Sequence, residues 1–456
     1  MRSRTRATRP ASRSRWLIAF ATVALAGPLA AQSTGPARSD AAAASPAAPS
    51  AALAKLPATR RLRDAMVDSG DFRAALSPAL EAVAVQADAR DAGYTGDLTV
   101  LARIEAELGE FDKAEANYLR AIDALQAAGG EYALELVGPY RGLGRSYIKA
   151  RRYPDAIIAL ETARSISQRN LGLFNVEQAP LLDDITTAYL GLGDTREAQR
   201  VQLERLDNAV KRFGANDQRV IPYRYQLADY YQRSRLPESA REQYAEVLKT
   251  QESLLGAGHP GLLDPLRQLV RIDLLTSQTQ AREAHARLVS VLEQNPNSEP
   301  VERGLALATL GDWAIVANDS DAARDFYKQA WQALRSQPDF DVAAAFARPE
   351  MIDFIAPLSS VDRGEKSKPY AWAEIDFDFD VTADGRPLNV RVVHRDGAAP
   401  SPLESRYSRR LRETHFRPRI VAGEPVATDN VQLTHYFRFY VDAKKKPGAE
   451  EAGDGG

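Results

Sequence analysis

The sequence predicts an α+β multidomain protein in which an all-α repeat solenoid is followed by a small α+β domain with the order β-β-α-β. Apolar residues recur at three- and four-residue spacing through residues 58–340, which is typical of amphipathic helices. The same stretch matches itself at a shift of 42 residues, which indicates a repeat architecture. After residue 341 the pattern changes to strict alternation of apolar and polar residues, which is typical of half-buried strands.

The first element is predicted to be an export signal over residues 1–31. Six arginines precede an apolar run at residues 16–26, and small residues then precede Gln32. We expect cleavage before Gln32, because this run is well short of the roughly 20 apolar residues that a membrane-spanning helix needs. The alternative is an uncleaved inner-membrane anchor across residues 16–31. In both cases the rest of the chain is expected in the periplasm.

Composition restricts the classes of function. The chain is 44% hydrophobic and 26% charged, which suits a globular protein. It has no cysteine, so disulfides, thiolate metal sites and cysteine nucleophiles are excluded. Removal of the six signal arginines lowers the formal net charge from -2 to -8, which disfavours nucleic acid as a partner.

Three segments are predicted to lie outside the folded modules. Residues 32–57 are rich in Ala, Pro and Ser and are predicted to form a flexible linker. Residues 341–364 are punctuated by proline and are predicted to connect the solenoid to the small domain, which is expected at 365–442. Residues 443–456 are predicted to form a disordered tail.

The solenoid prediction depends on five residue columns that recur in one register. Two antiparallel helices cross closely only where one has a small residue, and larger residues fill the space beyond the crossing. Small and large residues are therefore expected to recur together. The columns are Leu143, Ile185 and Leu227; Tyr147, Tyr189 and Tyr231; Ala156, Ala198 and Ala240; Leu171, Phe213 and Leu255; and Gly172, Gly214 and Gly256.

The clearest units carry a recognisable motif, Tyr140-x2-Leu143-Gly144-x2-Tyr147 followed by Ala156-x3-Leu160-x2-Ala163, which Leu227-Ala228-x2-Tyr231 with Ala240-x3-Tyr244 repeats. This motif resembles the tetratricopeptide repeat, which implies stacked helix pairs and a protein-binding role. Weaker copies flank these units, and the stretch at 269–292 is degenerate. We expect six or seven units.

The 42-residue period and the motif Leu255-Gly256-x2-His259-Pro260 resemble the kinesin-light-chain variety of these repeats. His259 could be considered as a metal ligand or an acid-base group. A residue that precedes proline at the start of a helix is more often a turn and capping element, and that is the prediction here.

The small domain begins with a predicted hairpin in which the strand at 375–381 alternates apolar residues with Asp376, Asp378 and Asp380. A two-residue turn at Asp384-Gly385 would place Asp378 opposite Arg391 on an exposed face. The aspartates are therefore predicted to be solvated. A calcium or paired-carboxylate site is the alternative, but residues at i and i+2 of a strand lie roughly 6 to 7 Å apart along a line, which suits such a site poorly.

The remainder of this domain is predicted to be a helix at 402–414 and a last strand at 431–441. The frame Val381-x2-Asp384-Gly385-x2-Leu388, His415-Phe416-Arg417-Pro418 and Gly423-Glu424-Pro425-Val426 resembles the C-terminal domain of TonB. The resemblance implies a docking module that contacts outer-membrane receptors by pairing an edge strand with a receptor segment. Energy transducers of that family also have a membrane helix and a long Pro-rich arm, which this chain replaces with a signal-like segment and a solenoid.

No catalytic motif is found: the sequence has no Gly-x-Ser-x-Gly elbow, phosphate loop or His-Glu-x2-His helix. His394, His415 and His435 could converge on zinc, but isolated sheet histidines are usually hydrogen-bonded or solvent-facing. Basic residues of the small domain are predicted to form a solvated helix face, with attraction to an acidic receptor segment or an anionic envelope polymer as the alternative. These are Arg406, Arg409, Arg410, Arg412, Arg417 and Arg419.

The sequence therefore favours a periplasmic protein–protein interaction scaffold and not an enzyme. No cofactor, metal or catalytic residue is expected, and neither is nucleic acid or a small-molecule substrate. Partner proteins are expected on the solenoid and a receptor or envelope component on the small domain, through residues that the sequence does not specify. The alternatives are an atypical TonB-type energy transducer anchored in the inner membrane, and an envelope-polymer enzyme or its specificity module.

Overall fold

The structure, a computed structural model, describes residues 51–86, 92–354, 370–396 and 401–440. The described residues from 52 onward form one compact unit, so the helical part and the small domain belong together. The predicted signal peptide, the linker up to residue 50 and the predicted tail at 443–456 lie outside the described residues.

Helices make up the described chain up to residue 345, and short connections join most of them in sequence. A one-turn 3-10 helix precedes α5, α7, α9 and α11. The α-helices are α1 Ala51–Asp68, α2 Phe72–Val85, α3 Ala92–Glu107, α4 Phe111–Gly129, α5 Val137–Lys149, α6 Tyr153–Leu171, α7 Ala179–Leu192, α8 Thr195–Phe213, α9 Ile221–Arg233, α10 Pro237–Leu255, α11 Leu263–Thr276, α12 Gln278–Gln294, α13 Pro300–Val316, α14 Ser320–Arg335 and α15 Val342–Ala345.

From α3 to α14 the helices pack as six consecutive pairs. The first helices of neighbouring pairs also contact each other: α3 contacts α5, α5 contacts α7, and α11 contacts α13. The exposed sides of α3, α5, α7, α9, α11 and α13 are called the first-helix face below. This arrangement confirms the predicted all-α solenoid.

Close crossings within the pairs depend on small residues, as the repeat columns predict. Ala156, Ala198 and Ala240 are fully buried. A Cβ atom added to Gly144 of α5 would lie 2.5 Å from the Leu160 side chain of α6, so a larger residue there would force the helices apart.

The column of Leu171, Phe213 and Leu255 is different, because Leu171 and Leu255 are about half exposed and do not fill a crossing. The glycines that follow them end their helices with φ of 89°, 94° and 92°, a backbone conformation that side chains disfavour.

His259 is a capping residue, as predicted: its Nδ1 accepts a hydrogen bond from the Gly261 backbone N–H at 3.0 Å. Asn175 and Asp217 lie 84 and 42 residues earlier and cap their 3-10 helices in the same way. The three residues therefore form a further repeat column. Their side chains share only the ability to accept a hydrogen bond, and a histidine meets that requirement as well as Asn or Asp does.

The boundary predicted at residue 57 is wrong, because α1 already begins at Ala51. Residues 51–56 are rich in alanine and leucine, which favour helix, and Leu56 is buried. Pro57 lies inside the helix without ending it.

The small domain contains a three-stranded antiparallel sheet in the order β3-β2-β7, so β3 and β7 are its edges, and two short strand pairs, β1–β4 and β5–β6. Its elements are β1 Glu350–Met351, β2 Tyr370–Val381, β3 Pro387–Asp396, α16 Ser401–Glu413, β4 Phe416–Arg417, β5 Arg419–Val421, β6 Glu424–Val426 and β7 Thr428–Tyr440.

The predicted order β-β-α-β is confirmed as β2, β3, α16 and β7, and the apolar side chains of β2 pack on Tyr407 and Leu411 of α16. The segment predicted as a plain connector, residues 341–364, instead contributes α15 and β1.

The Asp378–Arg391 pair forms as predicted, with 3.0 Å between Oδ2 and Nη2, but not by the predicted turn. Hydrogen bonds of Thr382 with Gly385 and Arg386 close a three-residue loop. A bulge at Asn389, with φ of 54°, then shifts the register back. Asp378 is 9% exposed, so the prediction of a solvated position is wrong there.

The small domain is packed firmly onto the last helix pair. Ile420 of β5 is buried among the apolar residues of the solenoid, and its backbone N–H donates to the Phe346 carbonyl at 3.2 Å. The ring of Phe346 lies 6.1 Å from that of Trp331 on α14. The domain therefore covers the apolar end that a terminal repeat would otherwise expose.

Candidate partner-binding groove

An open cavity of about 380 Å³ lies on the first-helix face between α9 and α11 and is called the α9–α11 groove. Repeat geometry decides which side chains line it: Leu227, Ala228 and Tyr231 of α9 point into the core, whereas Gln226 and Asp229 are exposed. The lining residues are Tyr225, Gln226, Asp229 and Gln232 of α9, Gln268 and Arg271 of α11, and Tyr244 of α10.

Two of these positions repeat from one helix to the next. Gln226 corresponds to Gln268, and Asp229 corresponds to Arg271, at the 42-residue shift. The amide side chains of Gln226 and Gln268 have no hydrogen-bond partner within the described part of the chain. Each amide offers both a donor and an acceptor, so the groove presents two unused groups of the kind that pair with a peptide backbone.

The tyrosines form the wall of the groove on the side of α10. The rings of Tyr225 and Tyr244 lie 5.7 Å apart, and Gln232 donates to the Tyr244 hydroxyl at 2.7 Å. Burial raises the pKa of both tyrosines, so their hydroxyls stay neutral at physiological pH. This wall is apolar and can also form hydrogen bonds.

A second cavity of about 140 Å³ continues the groove toward the small domain and shares Gln232 and Arg271 with it. Its other walls are α11, Asp312 of α13, and the chain segment from Glu350 to Phe354. The first-helix face is therefore open between α9 and α11 and covered by the protein's own chain beside α13.

Arg271 lies where the two cavities meet. Its Nη2 donates to Glu350 Oε1 at 3.0 Å, and the two side chains are 44% and 46% exposed. Glu350 also accepts from Arg417 of β4, with 2.8 Å between Nη1 and Oε2. Glu350 thus joins an exposed cation of the solenoid to a buried cation of the small domain.

Arg417 forms the centre of the junction. It donates from Nε to Asp312 Oδ1 at 2.7 Å and from Nη2 to Oδ2, and Tyr327 of α14 donates to the same carboxylate at 3.0 Å. Burial by itself would lower the pKa of Arg417, but Asp312 and Glu350 outweigh it and hold the pKa above its usual value. The guanidinium therefore stays charged and paired.

Of the arginines predicted to form a solvated basic face, Arg417 is not solvated and Arg410 is only partly exposed, whereas Arg412 is exposed. Arg417 is buried at the junction, because the small domain packs against α13. Arg410 donates to the Asp353 carbonyl at 2.7 Å and Arg412 to the Val390 carbonyl at 3.3 Å. Arg419 is half-buried, whereas Arg406 and Arg409 are exposed.

The three histidines of the small domain do not form a zinc site. His415 bonds to Asp353, with 2.7 Å between Nδ1 and Oδ2, and the ring of His435 lies 4.3 Å from that of Tyr407. Burial would raise the pKa of Asp353, but the bonds from His415 outweigh it and lower that pKa. Within the described ranges, no group of three or more His, Asp or Glu side chains could hold a metal ion.

The aspartates of β2 likewise have protein partners instead of a metal. Asp376 accepts from Thr434 at 2.5 Å, Asp378 pairs with Arg391, and Asp380 accepts from Asn389 at 2.6 Å. These are cross-strand contacts on the sheet.

The sequence predicted no groove residue. The signal was available, because the columns of Gln226 with Gln268 and of Asp229 with Arg271 share the period of the core columns. They are polar, however, and only core columns identify a repeat.

No protein-family model matches the chain, and no curated protein matches it either. Solved structures with some likeness include a Podosopora anserina protein described as a kinesin light chain with nearly identical TPR-like repeats, at 17% identity and TM-score 0.39. That match covers 44% of this chain and 97% of the other. PilF of Pseudomonas aeruginosa matches at 17% identity and TM-score 0.33 over 54% of this chain and 95% of its own.

BtubC of P. vanneervenii matches at 18% identity and TM-score 0.28, over 64% of this chain and 94% of its own. At these scores the likeness supports no conclusion about function, and the solenoid assignment rests on the helix pairs of the chain itself. Among the described residues, no helix combines the length and the apolar character needed to span a bilayer.

Proposed function

We propose that this protein is a protein–protein interaction scaffold of the periplasm that binds an extended segment of a partner in the α9–α11 groove. The observation that carries the proposal is the pair of unused amide side chains, Gln226 and Gln268, at equivalent positions of neighbouring helices beside an open cavity. Backbone-like groups repeated along a groove can follow an extended chain without requiring a particular partner sequence.

The small domain supports this role by fixing one end of the solenoid. Its packing on α13 and α14 keeps the groove next to a rigid wall, and a rigid site loses less conformational entropy when it binds. The domain is therefore proposed to act first as an end cap of the scaffold.

The periplasmic location is proposed from the signal-like residues 1–31. N-terminal sequencing and fractionation of the protein from its native host test it. A chain that starts near Gln32 in the soluble periplasmic fraction supports a free scaffold. An intact segment at 16–31 in the inner membrane would instead support the atypical energy transducer.

A second docking mode is favoured by one observation, the long edge strand β7. Within the described residues it pairs only with β2, so its outer backbone groups face away from the sheet. Such an edge can accept a strand of another protein. The resemblance to the TonB C-terminal domain points to an outer-membrane receptor as that protein.

The groove proposal is tested by selecting 12-residue peptides from a random library on the purified full chain and measuring their affinity by fluorescence anisotropy. Changing both Gln226 and Gln268 to Ala should weaken binding about tenfold, because two hydrogen bonds to the peptide are lost. The control changes Gln329 and Gln332, exposed amides of α14, to Ala. Equal affinity of the two double variants would overturn the groove as the binding site.

A further inference from the structure

We propose that the α7–α8 pair is the weak unit of the solenoid, which opens before the rest and acts as a hinge between two more stable halves. This property does not depend on the α9–α11 groove or on any partner. In a stack of repeats each pair is held by its own core and by its two neighbours, so one weak pair divides the stack. The weakness comes from α8.

The side of α8 that faces the core is polar where the equivalent helices are mostly apolar. Gln202, Arg205 and Asn208 of α8 are only 6%, 8% and 4% exposed. At the 42-residue shift, the buried equivalents of Gln202 are Tyr118, Leu160 and Tyr244, those of Arg205 are Ala121, Ala163 and Val247, and those of Asn208 are Ile166 and Thr250.

The 3-10 helix that precedes α7 shows the same exception. Its last residue, Gln178, is 1% exposed, and the equivalent buried residues of other repeats are Leu136, Val220 and Leu262. This 3-10 helix, Val176–Gln178, packs against α8. Four buried polar side chains therefore belong to one repeat, at positions that other repeats fill mainly with apolar groups.

Hydrogen bonds satisfy these side chains only in part. Arg205 pairs with Asp183 at 2.8 Å, and Gln202 donates to a threonine of α7 at 2.9 Å. In the part of the chain that the structure describes, Arg205 Nε, Asn208 Nδ2 and Gln178 Oε1 are buried without a hydrogen-bond partner. A buried polar group that stays unpaired destabilises the core around it.

Arg205 adds the cost of a buried charge. Its side chain is 9% exposed, whereas that of its partner Asp183 is 46% exposed. Burial lowers the pKa of Arg205, and Asp183 offsets this only in part. At Arg417 the opposite holds, because two carboxylates outweigh burial. The charge of Arg205 is therefore compensated less well than the charge at the junction with the small domain.

The apolar core of the solenoid divides at the same helix. One cluster of buried apolar residues extends from Ala102 of α3 to Val201 of α8. A second cluster extends from Ala198 of α8 to Ile420 of the small domain. The helix that lies between the two clusters thus gives one small apolar residue to each and fills the rest of its core side mainly with polar groups.

Hydrogen–deuterium exchange of the full chain, followed by mass spectrometry, tests the proposal without a ligand. The helices α6, α8 and α10 have 19 residues each, so their amides can be compared at equivalent positions after correction for intrinsic rates. We expect α8 to exchange about tenfold faster than α6 and α10, because unpaired buried groups favour local opening. Equal protection of the three helices would overturn the proposal.

A repaired chain carries the residues of α6 in α8, through Gln202→Leu, Arg205→Ala and Asn208→Ile. Asp183 is nearly half exposed, so it stays hydrated when Arg205 is removed. Exchange of α8 should slow about tenfold, toward the rate of α6. If the triple variant does not fold, Gln178→Leu gives the same test with one change. Unchanged exchange of α8 in the folded variant would contradict the proposal.

The matched control makes the opposite change in α6. Leu160 is fully buried in the column of Gln202, so Leu160→Gln should speed the exchange of α6 several-fold and leave α10 unchanged. An equal increase in every helix would show that the array opens as a whole, and the α7–α8 pair would then not be a hinge.

Discussion

Two ion pairs, on the neighbouring helices α11 and α13 of the first-helix face, differ in how far they are exposed to solvent. Arg271 follows Val270 on α11, and Asp312 follows Gly311 at the equivalent place on α13. The Arg417–Asp312 side chains are 12% and 5% exposed, whereas those of Arg271 and Glu350 are 44% and 46% exposed. Arg271 and Asp312 occupy equivalent positions of two repeats, and the small domain buries only Asp312.

Burial, and not charge, therefore divides the face into a structural end at Asp312 and the proposed binding end at Arg271. A buried ion pair is costly to break, because the remaining partner becomes an unpaired charge. An exposed pair contributes little to stability and can exchange partners. The junction at Asp312 is therefore expected to be permanent, and the contact at Arg271 replaceable.

The largest effect is expected from Arg417→Gln at the structural end. It leaves Asp312 buried without its cation, so the free energy of unfolding should fall by about 3–5 kcal/mol. Urea unfolding followed by tryptophan fluorescence measures this. Arg395→Gln is the control in the same domain, since Arg395 is 55% exposed in its pair with Glu404. Equal stability of the two variants would show that the buried pair is not structural.

Gly311→Ala tests how tightly the helices pack at the structural end. An added Cβ would overlap the Tyr327 ring, which donates to Asp312. The free energy of unfolding should therefore fall by about 1–3 kcal/mol. Gly138→Ala on α5 serves as the comparison, because nothing lies within 4 Å of its added Cβ. A loss of similar size at Gly138 would mean that crowding against Tyr327 is not the cause.

Acid is expected to weaken the structural end through His285 of α12, whose ring lies 4.8 Å from that of Trp313. Burial lowers the pKa of His285 below its ordinary value of about 6.5. Below that pH the unfolded chain binds more protons than the folded chain, so stability falls as the pH drops and is unaffected above it.

The effect of acid should be smaller than that of Gly311→Ala. Urea midpoints at pH 7.5 and 5.5 measure it for the wild type and for His285→Gln, which cannot take up the proton. An identical loss of stability in both proteins would place the acid sensitivity elsewhere.

The smallest effect on stability is expected from Arg271→Gln at the binding end. Because both partners of this pair are nearly half exposed, the free energy of unfolding should stay within about 0.5 kcal/mol of the wild type. A loss approaching that of Arg417→Gln, in the same urea assay, would remove the distinction between the two ends.

The sequence predicts the repeating part of the fold well, because core contacts are local and recur. Ala156, Ala198 and Ala240 show the helix crossings directly, and the alternation at Ile375, Phe377 and Phe379 shows the sheet. These patterns reflect burial on one face, which a single sequence records.

The junction and the groove could not be predicted in the same way. Arg417 meets Asp312 across 105 residues, and nothing near Arg417 in the sequence distinguishes it from the solvated arginines of α16. Asp378 was predicted to pair with Arg391 from a two-residue turn, and the pair exists only because a bulge compensates for a longer loop. Contacts between distant segments depend on packing that local patterns do not record.

Hydrogen–deuterium exchange of the full chain, with and without a saturating selected peptide, tests the division of the face most directly. We expect slower exchange of the backbone amides of α9 and α11, at 221–233 and 263–276, with little change in β7. Slower exchange confined to β7, at 428–440, would contradict it and assign partner binding to the edge of the small domain.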